Sequence, residues 1–348
     1  MKILFLLPKL TNSGPSNVVA SIISHPMMRD HDIVIASFLG FEQEYLDRLA
    51  PFGVRYEALP GPGLKGLSKL KRLVNEQDID VVHSHGLIPD VAIGLISPFI
   101  SARTVSTIHC DLAADYTMEY PPLKAKSYLF IHNLFLRFIQ QRVSVSAAVQ
   151  SVLAHDSDVV RNGVQHRPID FPASSTLSLV FAGRLIQRKN VQLAIDCFNA
   201  LDKSRWPNVE LVIFGDGEQF DEVKKQETDR IKVMGFHDDF LSTLSDNSIF
   251  VNPSLAEGLP MAVIEVMAAG VPCLLSAIEP HKELKRCSND GIAIFDFNTE
   301  SFAQGLAQLA DDDGMVNIDR NALEQNFLQN LSDTQMTARY LQVFAKAK

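Results

Sequence analysis

Short apolar or β-branched runs alternate along the chain with segments of helical length. In the first half KILFLLP (2–8), DIVIASF (32–38), DVVHSH (80–85), RTVSTIH (103–109) and RVSVS (142–146) predict strands. The second half repeats the plan with LSLVFAG (177–183), VELVIFG (209–215), IKVMG (231–235), SIFVNPS (248–254), VPCLLS (271–276) and GIAIFD (291–296). Alternating βα units imply parallel sheets joined by right-handed crossovers. HRPIDFPASS (166–175), with two prolines and a serine pair, is the natural linker. The pattern predicts an α/β chain of two doubly wound domains, residues 1–168 and 176–330, facing each other across a cleft. In such sheets ligands bind beyond the carboxyl ends of the strands.

The polar residues that interrupt this pattern fall at those strand ends. In FAGRLIQRKN a strand ends at Gly183, and Arg184 and Lys189 occupy the turn before the next helix. Two cations there can neutralise an anion, Arg as a bidentate fork and Lys as a point charge; a plain solvated turn is the alternative. FGDGEQ (214–219) is a second tight turn, whose Gly215 and Gly217 would let the backbone approach a ligand closely or simply close the turn. In LAEGLPMAVIEVMAAGVPCLLS (255–276) Pro260 suits a helix start and Gly270 a helix stop. Glu257 then precedes the helix, and Glu265 lies roughly 7.5 Å along its axis. A buried carboxylate without a partner is costly, so a ligand is expected to supply the missing donors. A nucleoside diphosphate sugar fits: diphosphate at the helix N-terminus, ribose hydroxyls at Glu265, sugar hydroxyls at Glu257. The alternative is Glu257 as a helix cap and Glu265 in a salt bridge.

Composition narrows the classes. The chain is 46% hydrophobic and 21% charged, ordinary globular material. Residues 1–170 carry 16 cations and 16 anions, so the net charge of −9 lies wholly in the rest, and no basic patch points to nucleic acid. The opening MKILFLLPKL has too short an apolar run for a signal peptide, and no run approaches a membrane span. Cys110, Cys197, Cys273 and Cys287 are scattered without CxxC spacing, as expected of reduced thiols in a cytoplasmic protein. No Asp-x-Asp stands at a strand end, so neither a metal nor another cofactor is expected. His83 and His85 alternate on one strand face but lack a third ligand in motif spacing, and His85 is read as lining the acceptor side of the cleft.

EGLPMAVIE resembles the E-x7-E motif of family 4 glycosyltransferases, retaining enzymes of the GT-B fold with two Rossmann-like domains. FAGRLIQRKN is similar to that family's phosphate-binding G-R-L-x-x-x-K turn and FGDGE to its G-x-G-x turn, while VVHSHG, STIHCD, SVSAAV and RNGV resemble its N-terminal signposts. The matches run in order to about residue 295. The resemblance implies that Arg184 and Lys189 hold the donor diphosphate and Glu265 the ribose. It sets Glu257 against the transferred sugar, with the backbone of Gly258, Leu259, Pro260 and Met261 along sugar and phosphate. It brings His109 near the sugar to help the transition state. It makes Gly14 part of a flexible glycine loop near the acceptor and the β-phosphate, and sets Ser13 and Asn162 on the acceptor side. The chain departs from the family at Pro260, where Gly is common, and at Ser13-Gly14-Pro15 in place of Gly-Gly.

The function implied is metal-independent, retaining transfer of a sugar from a nucleotide-diphosphate sugar, UDP-linked by preference, to a glycan or lipid-linked acceptor in surface polysaccharide or lipopolysaccharide synthesis. A nucleotide-sugar epimerase of the same fold and an inactive nucleotide-sugar-binding protein are the alternatives. GPGLKGLSKLKRL (61–73) and YPPLKAKSYLFIHNLFLRFIQQR (120–142) mix cations with apolar and aromatic residues. Such faces suit peripheral contact with an anionic inner membrane face, or plain packing with a solvated basic edge. The stretch 331–348 carries Met336, Tyr340, Leu341 and Phe344 at helical spacing. The resemblance implies that this final helix crosses back to the helices of the first domain and forms part of a hinge.

Overall fold

The computed structural model describes residues 1–288 and 291–346. Residues 347–348, counted in the expected final helix, lie outside the described residues. The chain divides into two compact units, one of Met1–Gly163 with the residues from Asp333 onward, the other of Val164–Ser332.

Unit 1 holds strands β1 (Lys2–Leu7), β2 (Asp32–Ser37), β3 (Arg55–Ala58), β4 (Val81–His85), β5 (Arg103–Ile108), β6 (Gln141–Ser144) and β7 (Asp158–Val159). They form one sheet in the order β3-β2-β1-β4-β5-β6-β7, every pair parallel. Unit 2 holds β8 (Leu177–Ala182), β9 (Val209–Phe214), β10 (Ile231–Gly235), β11 (Ser248–Asn252), β12 (Cys273–Ser276) and β13 (Ile292–Phe295). Their order is β10-β9-β8-β11-β12-β13, again all parallel. Central strands such as β1 and β11 are apolar almost throughout because helices cover both faces of a parallel sheet. The strand order reverses between β1 and β4 in unit 1 and between β8 and β11 in unit 2. Adjacent connections leave in opposite directions at these two points, which opens a crevice at the strand ends.

Two strands escaped the sequence pattern. β3 (RYEA) lies at a sheet edge, partly exposed and without an apolar run, and β7 has two residues. Polar composition at an edge discourages pairing with another chain and erases the period-2 signal.

The final helix, Asp333–Lys346, belongs to unit 1. Met336, Thr337, Tyr340, Val343 and Phe344 form its buried face, while Leu341, read as part of the stripe, is only half-buried. The helix packs, as expected, against a helix of the first sheet, Gly14–Ser24, and its rings also reach the strands themselves. Phe344 meets Phe5 of β1 edge-on at 6.4 Å and Tyr340 lies 5.2 Å from His83 of β4. The Tyr340 hydroxyl hydrogen-bonds Thr107 Oγ1 of β5 at 3.0 Å. Tyr340 and Phe344 stand one turn apart on one face, so both rings can lie on the same row of strands. Among the described residues no helix is long and apolar enough to cross a membrane, and the four cysteines are free thiols.

Candidate functional site

In unit 2 the turn after β8 and the loop after β11 meet at the point where strand order reverses. Lys189 Nζ donates to Glu257 Oε1 at 2.6 Å, Ser254 Oγ donates to the same oxygen at 2.7 Å, and Arg188 Nη1 lies 3.6 Å from Oε2. Backbone bonds join the same two segments: Leu255 N–H to Arg188 O at 2.9 Å, and Arg188 Nη1 to Ala256 O at 3.2 Å. Burial would raise the Glu257 pKa. The charges of Lys189 and Arg188 and the hydrogen bonds from Lys189 and Ser254 outweigh it and hold the carboxyl at about 2. Arg184, in contrast, is exposed and has no side-chain partner among the described residues.

Gly215 and Gly217 have φ of +143° and +151°. A Cβ on Gly215 would lie 1.8 Å from Gly183 O, and one on Gly217 2.6 Å from Leu185 O. These glycines let the turn after β9 pack on the turn carrying Arg184, with Leu185 N–H bonded to Asp216 O at 2.9 Å. Of the two readings the sequence left open, the tight turn accounts for both glycines through contacts within the chain.

Helix Met261–Ala268 follows, with Pro260 at its cap position, one residue before the helix, and no side chain capping it. Its first-turn N–H groups are the donors a helix leaves without intrahelical partners. Gly270, with φ +70°, ends it. Glu265 is half-buried on this helix, makes no hydrogen bond or ion pair among the described residues, and has its pKa raised by burial. Close by in the chain, buried His281 donates from Nδ1 to Ser276 O at 2.9 Å, and Ser276 Oγ donates to Ser254 O at 2.6 Å. Burial lowers the His281 pKa to about 4, and its Nε2 has no partner.

In unit 1, β4 and β5 end in a stack of imidazoles. His85 Nδ1 and His109 Nε2 are 2.8 Å apart, and His83 Nε2 hydrogen-bonds Thr107 Oγ1 at 2.7 Å. The His83 and His85 rings are 4.2 Å apart. Burial lowers all three pKa values, to about 3 for His83, about 4 for His109 and well below the usual value for His85. All three are neutral at pH 7, so the 2.8 Å pair carries one proton between its two facing nitrogens. His109 is half-buried and His85 fully buried.

The family description "Glycosyltransferase Family 4" matches residues 12–168, and "Glycosyl transferases group 1" matches residues 176–312. Between them they take in nearly the whole chain, in order. The chain belongs to glycosyltransferase family 4. This glycosyltransferase is 26% identical over 274 residues to the UDP-Gal:alpha-D-GlcNAc-diphosphoundecaprenol alpha-1,3-galactosyltransferase of Escherichia coli, covering 72% of this chain and 71% of that protein. It is 23% identical over 296 residues to the capsular polysaccharide biosynthesis glycosyltransferase CapH of Staphylococcus aureus, covering 81% and 83%. The crystal structure of Anabaena HepE in complex with UDP superposes with a TM-score of 0.80 at 16% identity, over 99% of this chain and 100% of that one. The fold is GT-B.

Several assigned residues of the glycosyltransferase differ in setting from the sequence reading. Glu257 has its partners within the chain, and Lys189 is bonded to it instead of standing free for an anion. His85, expected to line the acceptor side, is fully buried behind the half-buried His109. Gly14 opens the helix Gly14–Ser24 instead of lying within a loop, with Ser13 at the cap donating from Oγ to Ser16 Oγ at 3.1 Å. Asn162 is buried. Gly258, Leu259 and Pro260 are buried in the loop before the helix, and Met261 begins it. Arg188, Ser254, Ser276 and His281 were missed. Arg188 stands beside Lys189 in QRKN and was legible as a third cation; the others give no signal in the chain.

Two outcomes follow from this geometry. Lys189→Ala removes the shortest partner of a buried carboxylate and leaves it Ser254 and the more distant Arg188. It is expected to destabilise the glycosyltransferase by about 3 kcal/mol, the low end for breaking a buried pair. Adding Glu257→Ala should return part of that loss in urea denaturation; additive losses would contradict the coupling. Acid should act on the histidines. Their folded pKa values lie below the unfolded value near 6.5, so the unfolded chain takes up protons first as pH falls. The urea midpoint should therefore drop between about pH 6.5 and 5, above the carboxylate range. A flat midpoint across that window would contradict the burial of neutral imidazoles.

Proposed function

We propose that this glycosyltransferase transfers a hexosyl group from a UDP-sugar, with retention and without a metal, to a hydroxyl of a glycan or lipid-linked acceptor in surface polysaccharide or lipopolysaccharide synthesis. The observation that carries the reading is Glu265. A half-buried carboxylate with no partner among the described residues, on a helix starting at a strand-order reversal, calls for a ligand rich in hydroxyl donors. A ribose supplies two. The uncapped helix start and the free Arg184 supply donors and charge for a diphosphate. HepE, of the same fold, has a crystal structure in complex with UDP, and the Escherichia coli relative is named for a UDP-linked donor and a lipid-diphosphate acceptor.

In the reaction the bond between the anomeric carbon and the phosphate oxygen breaks, and the leaving diphosphate keeps the electron pair. The acceptor hydroxyl oxygen bonds to the anomeric carbon on the same face, and its proton passes to the leaving phosphate oxygen. Arg184 and the helix N–H groups stabilise that developing charge. Glu257, ionised and bound to Lys189, acts first as the group that fixes the turn and second as an acceptor for sugar hydroxyls. His109, a neutral imidazole, offers a hydrogen-bonding edge and no charge.

UDP and a UDP-sugar should raise the melting temperature, since a ligand that binds only the native state stabilises it. Arg184→Ala should lower kcat about 100-fold or more with the melting temperature of the free protein unchanged. EDTA should leave turnover intact. Unchanged kcat in the variant removes Arg184 from the site, and turnover lost to EDTA and restored by Mg²⁺ overturns the metal-free mechanism.

A further inference from the structure

Unit 1 carries an apolar groove of about 170 Å³ between the helices Leu64–Glu76, Leu87–Ile96 and Pro122–Leu136. Leu67, Leu87, Val91, Leu95 and Ile131 line it, with Tyr128 as the one residue bearing a side-chain polar atom. That volume matches a cavity able to hold one benzene-sized hydrocarbon, roughly one branched unit of a lipid chain.

The groove's surroundings are unusual for a water-facing surface. Helix Pro122–Leu136 buries Ala125, His132 and Leu136, yet large apolar side chains also face outward among its cations: Leu123 is 81% exposed and Phe130 69%. Leu64, 86% exposed, stands between Pro62 and Leu67, both in the groove wall. Large exposed apolar patches mark binding surfaces.

Charge identifies the occupant. The helices Leu64–Glu76 and Pro122–Leu136 carry six cations, Lys65, Lys69, Lys71, Arg72, Lys124 and Lys126, against one acid, Glu76. Lys69 pairs with Glu57, Lys71 lies over Phe99 and Lys124 over Tyr120. Lys65, Arg72 and Lys126 have no such partner and are exposed. A hydrocarbon-sized groove with a cationic edge complements a molecule that joins an apolar chain to a phosphate. The groove wall also begins at Leu87 and Ile88, directly after Gly86 and the end of β4, beside the strand-order reversal of this sheet.

We infer that this groove seats the hydrocarbon chain of a lipid-diphosphate acceptor, with the basic edge on its phosphates. The inference rests on the lipid-linked acceptor of the proposed function and adds where and how that acceptor is held.

The test uses the full chain, without donor, and titrates farnesyl diphosphate, with pyrophosphate and farnesol as partial ligands. Wild type should bind farnesyl diphosphate more tightly than either part. Ile131→Lys and Leu95→Lys, both at partly exposed positions, should weaken it at least tenfold, and Lys65→Ala with Lys126→Ala should reduce the advantage over farnesol. An unchanged urea midpoint in each variant certifies that unit 1 is folded, and UDP affinity should stay at the wild-type value throughout. That affinity separates the two readings, because loss of UDP binding by wild type would sink the donor assignment and not the groove. Equal affinity of the Ile131→Lys variant for farnesyl diphosphate overturns the proposal. So does a result in which that variant loses only binding to phosphatidylglycerol vesicles, which makes the face a general membrane contact, or only a concentration-dependent dimer, which makes it an interface between copies.

Discussion

The contact between Lys189 and Glu257 organises the loops at the strand-order reversal of unit 2. A carboxylate buried this deeply is tolerated only with a cation and hydrogen bonds on it, and here it has both. The pairing joins the turn after β8 to the loop after β11, the two segments that flank the strand-order reversal. It also sets the charge of the site. Lys189 is neutralised by Glu257, so Arg184 and Arg188 supply the remaining positive charge at the turn. The glycines at 215 and 217 serve the same end, since any side chain there would push the neighbouring turn away and misplace Arg184. With this scaffold satisfied internally, Glu265 is left half-buried without a hydrogen bond or ion pair among the described residues.

Unit 1 solves a related problem with neutral groups. His83 and His85 are buried and His109 half-buried, and burial keeps all three uncharged. One nitrogen of His83 bonds to Thr107 and one of His85 faces one of His109, while His83 Nδ1 and His85 Nε2 have no partner among the described residues. The final helix completes this packing by laying Tyr340 and Phe344 beside His83. Residues at the far end of the chain therefore fix the environment behind His109. The position of that ring is an outcome of the whole unit and not of its own strand alone.

Local chemistry was legible in the sequence, and partnerships across long separations were not. Alternating apolar runs located eleven strands because a central parallel strand has both faces covered and must be apolar throughout. β3 and β7 failed because an edge strand need not be. Pro260 and Gly270 bounded the helix because each acts on the backbone at its own position. Glu257 was rightly set in the loop ahead of that helix, but its partner lies 68 residues away and nothing in either segment names the other. The alternation in VVHSH correctly put His83 and His85 on one face. It could not tell that Tyr340, bonded to Thr107 across 233 residues, closes part of that face from solvent. Glu265 was legible as a carboxylate short of donors, and it remains one.

The central claim is that a nucleotide ribose satisfies Glu265. The most direct measurement is a cycle of calorimetric affinities for UDP and 2′,3′-dideoxy-UDP, each with wild type and with Glu265→Ala. If the carboxylate holds the ribose hydroxyls, removing either partner weakens binding, and removing the second costs almost nothing more. Losses that simply add, or a variant that binds UDP as tightly as wild type, would contradict the account.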